Sequence, residues 1–146
     1  METALQTRIL LVDDEEEFIA TLGQRLETRN LKVMAATSGE RAIEIVDSQD
    51  VDVIILDLAM PGMDGLEVLR RIKNGHPEAE IIMLTGHATI ESTVEAMKLG
   101  AEDFLEKPVD MKELLEKIQE AKQKRVLVLQ EKSKAEIEQI LKTRAW

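Results

Sequence analysis

The stretch VDVIILDLAMPGMDG, residues 51–65, joins a run of branched aliphatics to one aspartate, Asp57, and then to a loop containing Pro61, Gly62 and Gly65. An uninterrupted apolar run bounded by turn signals reads as a strand covered on both faces, the signature of a parallel sheet. The arrangement recurs along the chain. ILLV ends in Asp13 and Asp14, IIML ends in Thr85, and DFLE ends in Lys107 followed by Pro108. In open α/β sheets the working site lies beyond the carboxyl ends of the strands, where strand order reverses. Three carboxylates, a hydroxyl and an ammonium are therefore expected at one rim.

Five candidate strands follow: Arg8 to Val12, Lys32 to Ala36, Val53 to Leu56, Ile81 to Leu84, and Asp103 to Glu106. Helix-period segments lie between them. Glu15 to Arg29 places Phe18, Ile19, Leu22 and Leu26 on one face, and Gly39 to Ser48 follows Ser38 as N-cap. Leu66 to Asn74 and Ile90 to Leu99 complete the set, the last closed by Gly100. This is a βα repeat with short, right-handed connections. From Met111 onward the chain has no proline or glycine, so one helix could run almost to the end. Its stripe of Leu115, Ile118, Val126, Leu129, Ile137 and Ile140 keeps near-helical spacing, with Lys122 and Ser133 filling two expected places. Residues 1–122 are read as a globular body and 123–146 as a helical extension. At 1.5 Å per residue a helix from Met111 to about Thr143 would be roughly 50 Å long, so the extension would project with its stripe exposed. Pairing with a second copy or another helix is expected there.

The 146 residues suit about one domain and one site. The absence of cysteine excludes disulfides and thiolate metal sites. The net charge of -10 argues against direct nucleic-acid binding, because phosphate contacts need a basic surface. The charge is uneven. Residues 1–111 carry 10 basic against 23 acidic side chains, whereas 112–146 carry 9 against 6. The leading METALQTR lacks the features of a secretory signal, and no run approaches the roughly 20 apolar residues of a membrane span. A soluble, cytoplasmic protein without membrane partners is expected.

If the strand order is 2-1-3-4-5, strands 1 and 3 are neighbours and Asp57 lies beside Asp13 and Asp14. Carboxylates held together repel, and a hard divalent cation relieves the repulsion. Two carboxylates with a backbone carbonyl and waters suit Mg²⁺, which prefers octahedral oxygen ligands. Alone, Asp13 to Glu17 could equally be an acidic helix start favoured by the helix dipole. An aspartate beside a metal can act as a nucleophile toward a phosphoryl group. Thr85 and Lys107 would then donate to its oxygens.

These segments, with Asp13 and Asp14 after strand 1, Asp57 in LDLAMPGMDG, Thr85 in MLTG and Lys107-Pro108 in DFLEKP, resemble the receiver domain of bacterial two-component response regulators across about residues 6–122. The resemblance implies a flavodoxin-like, doubly wound five-stranded α/β fold. It implies phosphorylation of Asp57 by a histidine kinase phosphohistidine or a phosphotransfer protein. It also implies Mg²⁺ held by Asp14, Asp57 and the Ala59 carbonyl, with Asp13 assisting through water, and a cis bond between Lys107 and Pro108.

Several positions are particular to this chain. Ala59 offers no polar side chain beside the phosphoryl group. Phe104 stands where an aromatic swings inward in the family, or is an ordinary packed strand residue. His87 borders the acid site, and His76 in NGHPE reads as a surface residue. A haloacid-dehalogenase-type phosphatase would need a second acid where Ala59 stands. Flavodoxin-like cofactor binding would need stacking aromatics and a phosphate-cradling loop. The expected role is a signalling switch that controls a downstream protein through helix 4, strand 5 and helix 5, and assists its own phosphotransfer without being a dedicated enzyme. The alternative is the N-terminal module of a truncated transcription regulator, which TGHATI and AEDFLEKP also resemble.

Overall fold

Branched aliphatics dominate the central strands, and burial on both faces selects them. In the computed structural model, which describes residues 6–144, the strands are β1 (Arg8–Val12), β2 (Lys32–Ala36), β3 (Val53–Leu56), β4 (Glu80–Thr85) and β5 (Asp103–Glu106). They form one parallel sheet in the order β2-β1-β3-β4-β5. The helices are α1 (Glu16–Glu27), α2 (Gly39–Ser48), α3 (Gly65–Gly75), α4 (Ile90–Lys98) and α5 (Met111–Arg144). Most of the METALQTR segment and the last two residues of the extension lie outside the described residues.

Successive strand residues feed two cores. Leu10, Val12, Ile54, Leu56, Ile81 and Met83 pack with α2, α3 and Ala96 of α4 on one face. Ile9, Leu11, Val53, Ile55, Ile82 and Leu84 pack with α1 and the start of α5 on the other. Two covered faces explain why the strands carry apolar runs instead of alternation.

Local signals set most boundaries. The Ser38 side chain caps α2 by accepting from the Arg41 N–H at 3.2 Å, and Asp64 caps α3 by accepting from Glu67 at 3.0 Å. Thr89 and Ser92 form a reciprocal capping box on α4. Helix α1 is shorter at its end than its periodicity suggests, because Asn30 takes a left-handed φ of 63° and the chain turns into β2. Strand β4 begins one residue early, at Glu80. A buried acid interrupts the apolar pattern there, although the backbone is already paired with Val53.

Helix α5 is continuous through 34 residues. Met111, Leu114, Ile118 and Ala121 are buried against the sheet, whereas residues 130–143 are exposed throughout. Among the described residues, no helix is long and apolar enough to cross a membrane.

Candidate functional site

Parallel register assembles the acid rim. Val12 pairs with Leu56, so the residues that follow, Asp13 and Asp57, leave neighbouring strands side by side. The Asp57 N–H donates to the Val12 carbonyl at 2.9 Å, and the Asp13 N–H donates to the Ala36 carbonyl at 3.1 Å. Carboxylate oxygens of Asp13, Asp14 and Asp57 all lie within 4.8 Å of one another. Asp13 and Asp57 are buried and Asp14 is exposed. Among the described residues, no donor reaches the buried Asp57 Oδ1. A buried, unpaired oxygen within an acid cluster is costly unless a cation or donor satisfies it. The donor set is all oxygen, partly open to solvent and short of positive charge, which fits a hard divalent cation such as Mg²⁺.

The loop after Asp57 folds tightly back onto it. The Gly65 N–H donates to the Leu58 carbonyl at 2.7 Å, and a Cβ on Gly65 would collide with the Asp57 carbonyl oxygen and Leu58 Cα. Gly62 turns the loop with φ 79°. Ala59 is exposed between them. At the end of β4, fully buried Thr85 accepts at Oγ1 from the backbone N–H of exposed His87 at 3.1 Å.

From the end of β5, Lys107 Nζ reaches Asp13 Oδ2 at 2.8 Å and Glu15 Oε1 at 3.0 Å. It also lies 4.0 Å from the Phe18 ring centroid. The bond from Lys107 to Pro108 is cis. Burial pushes the Asp13 carboxyl above its ordinary range, with Asp57 adding to the rise and Lys107 opposing it. Burial works against the Lys107 charge, but hydrogen bonds to Asp13 and Glu15 outweigh it and hold the ammonium above its ordinary value. Phe104 is half-buried against the α2–α3 side of the core. His76 is half-buried just past the end of α3, with Nε2 2.7 Å from Asp47 Oδ1 on α2.

Sequence reading of the strand ends did not connect Glu15 or Phe18 with Lys107. Both were absorbed into the periodic pattern of α1, and only their position beside Asp13 could have drawn notice. The arrangement as a whole brings together a three-carboxylate cluster, a buried hydroxyl and an ammonium.

The model of the response regulator receiver domain matches residues 9–119. The chain belongs to that family. It is 36% identical over 129 residues to the C4-dicarboxylate transport transcriptional regulatory protein DctD of Pseudomonas aeruginosa, an alignment covering 88% of this chain and 28% of that protein. Among solved structures, a CheY-like receiver domain protein from Methanospirillum hungatei JF-1 superposes with TM-score 0.79 at 30% identity, covering 83% of this chain and 97% of the other. A response regulator protein from Burkholderia pseudomallei, solved with a phosphorylated aspartic acid, a calcium ion and citrate, gives TM-score 0.74 at 30% identity, covering 87% and 73%. The chain spans less than half the length of the curated relatives it matches. As a receiver, it is a signalling module of two-component phosphorelays.

Proposed function

We propose that Asp57 accepts a phosphoryl group from a histidine kinase or phosphotransfer protein and that the chain passes this state to a downstream protein. The observation that carries the reading is the buried Asp57 Oδ1, without a donor among the described residues, inside a three-carboxylate cluster. An Asp57 oxygen attacks phosphorus, the phosphorus–nitrogen bond of the donor phosphohistidine breaks, and the leaving imidazole takes a proton. Mg²⁺ held by Asp14, Asp57 and the Ala59 carbonyl, with Asp13 through water, would neutralise the charge that otherwise repels the donor. Thr85 and Lys107 donate to phosphoryl oxygens. Hydrolysis reverses the state, water attacking phosphorus to return the carboxylate and inorganic phosphate.

Phosphorylation adds roughly -1.5 to -2 charges at Asp57, if it titrates as other phosphoryl groups do, and draws Thr85 and Lys107 inward. Phe104 follows Thr85, and the face of α4, β5 and α5 changes. Ile90, Val94 and Met97 leave apolar surface on α4 for a protein partner. The protein works in the cytoplasm as a switch, not as a dedicated enzyme. Residues 1–122 are read as the receiver and 123–146 as an extension that packs against a second copy or a partner through Val126, Ile137 and Ile140, which are exposed. The relationship to DctD supports a second reading of the output, as the N-terminal module of a transcription regulator.

The test is incubation with an acyl phosphate donor and mapping of the labile adduct. One phosphoryl group on Asp57 is expected, not formed when chelator is present during the incubation and absent from Asp57→Asn. Full labelling of that variant, or labelling indifferent to chelator, overturns the assignment.

A further inference from the structure

Glu15 occupies the N-cap position of α1, yet its side chain makes no capping hydrogen bond. Glutamate is not a favoured cap, and Glu16 and Glu17 already place acidic charge in the first turn of α1. The Glu15 carboxylate instead lies 3.0 Å from Lys107 Nζ, across 92 residues of sequence. One turn further along α1, the Phe18 ring faces the same ammonium at 4.0 Å. Asp13 supplies a further contact at 2.8 Å. An ammonium has three N–H donors. Two carboxylates and an aromatic face engage it, and Asp57 Oδ1 receives no hydrogen bond from it.

We infer that Glu15 and Phe18 form a resting berth for the Lys107 ammonium that competes with a phosphoryl group on Asp57, making Glu15 a positioning residue that sets phosphoryl affinity. The inference rests on the reading of Asp57 as phosphoacceptor. The two acid contacts of Lys107 differ in kind: the Asp13 side chain is 4% exposed and the Glu15 side chain 63%. The outer contact is the one that can be released without stranding a buried charge. Its strength nevertheless subtracts from every interaction Lys107 makes at Asp57. Releasing an outer ion pair of this type changes affinity by up to about fivefold.

The probe is beryllium fluoride at saturating Mg²⁺, a phosphoryl mimic, titrated against the full chain. Glu15→Gln keeps the shape of the side chain and removes its charge. It is expected to bind the mimic about two- to fivefold more tightly than the unaltered chain. Glu16→Gln removes an equal charge one residue away without a contact to Lys107 and is expected to change affinity little. In a Lys107→Ala background, Glu15→Gln should have no further effect. Mg²⁺ affinity without the mimic is measured alongside and should survive Glu15→Gln. Unchanged or weakened mimic binding by Glu15→Gln overturns the berth. So does an equal gain from Glu16→Gln, a gain that persists without Lys107, or loss of Mg²⁺ binding, which would make Glu15 a metal ligand. If the unaltered chain fails to bind the mimic at all, it is the phosphoacceptor reading that falls.

Discussion

The two ends of the sheet carry similar raw material and use it differently. At the carboxyl end, Asp13, Asp14 and Asp57 cluster, and among the described residues Lys107 is the basic side chain paired there, with Asp13 and Glu15. At the amino end, Asp50 and Asp52 meet Arg8, Lys122 and Arg125, while Glu102 meets Lys124. Asp52 is 5% exposed, much like Asp57 at 3%, but it accepts from Arg8 N–H at 2.8 Å and from Arg125 at 3.1 Å. The buried acid Asp52 is thus neutralised by Arg8 of β1 and by Lys122 and Arg125 of α5. At Asp57, among the described residues, no donor reaches Oδ1. The basic balance of the last 35 residues supplies the matching charges for one end only.

The sharpest way to break this contrast is to remove one acid from each end. Asp52→Ala leaves Arg8, Lys122 and Arg125 crowded without their shared partner, so a loss of about 3 kcal/mol in urea unfolding is expected, with Mg²⁺ affinity intact. A neutral result would mean that the amino-end pairs are ornamental. Asp57→Asn should go the other way, raising stability in chelator by about 1 kcal/mol because it relieves repulsion among close carboxylates. Destabilisation by this substitution would show that the acid rim is compensated after all.

Glu80 sharpens the comparison within the amino end. Burial, reinforced by neighbouring Glu102, pushes its carboxyl from 4.5 up to about 7. A raised folded-state value means that the native chain holds the proton more tightly. The contribution of Glu80 to stability is therefore undiminished below pH 4.5, falls as pH rises between 4.5 and about 7, and stays reduced above. Glu80→Gln should gain on the order of 1–2 kcal/mol at pH 8 and almost nothing at pH 4, read from paired unfolding curves. Equal gains at both values would mean that the carboxyl does not titrate in this range.

The remaining tests separate roles inside the acid rim. Mg²⁺ at ten times its dissociation constant should stabilise the chain by about 1.4 kcal/mol, and Asp14→Ala should abolish that shift. Thr85→Ala should retain most of it and lose instead the change around Phe104 on adding a phosphoryl mimic, followed by NMR of the aromatic ring. Loss of Mg²⁺ binding in both variants would dissolve the distinction between metal-holding and signal-coupling residues.

The candidate rim was legible because its side chains follow strands, and parallel topology sends all such positions to one end. Asp57 needed only β1 and β3 to be neighbours, and their register then puts Asp13 next to it. Glu80 was not legible as a strand residue, since a charge ends an apolar run in sequence even where backbone pairing continues. The partners of Asp52 were hidden for another reason. Arg125 lies 73 residues away, on a helix whose rotation about its axis no local pattern specifies.

Sequence by itself determined the parallel α/β class, the alternation of strands and helices, and which residue types would stand at the strand ends. Apolar runs, caps and glycines act over a few neighbours, and those interactions are written in consecutive residues. Tertiary structure alone decided which carboxylates would be neutralised. Lys107 reaches Glu15 across 92 residues, and Arg125 reaches Asp52 across 73, only after the sheet has fixed their separation. Charge pairing depends on distances of a few ångströms between remote parts of the chain. It could not be read before the fold existed.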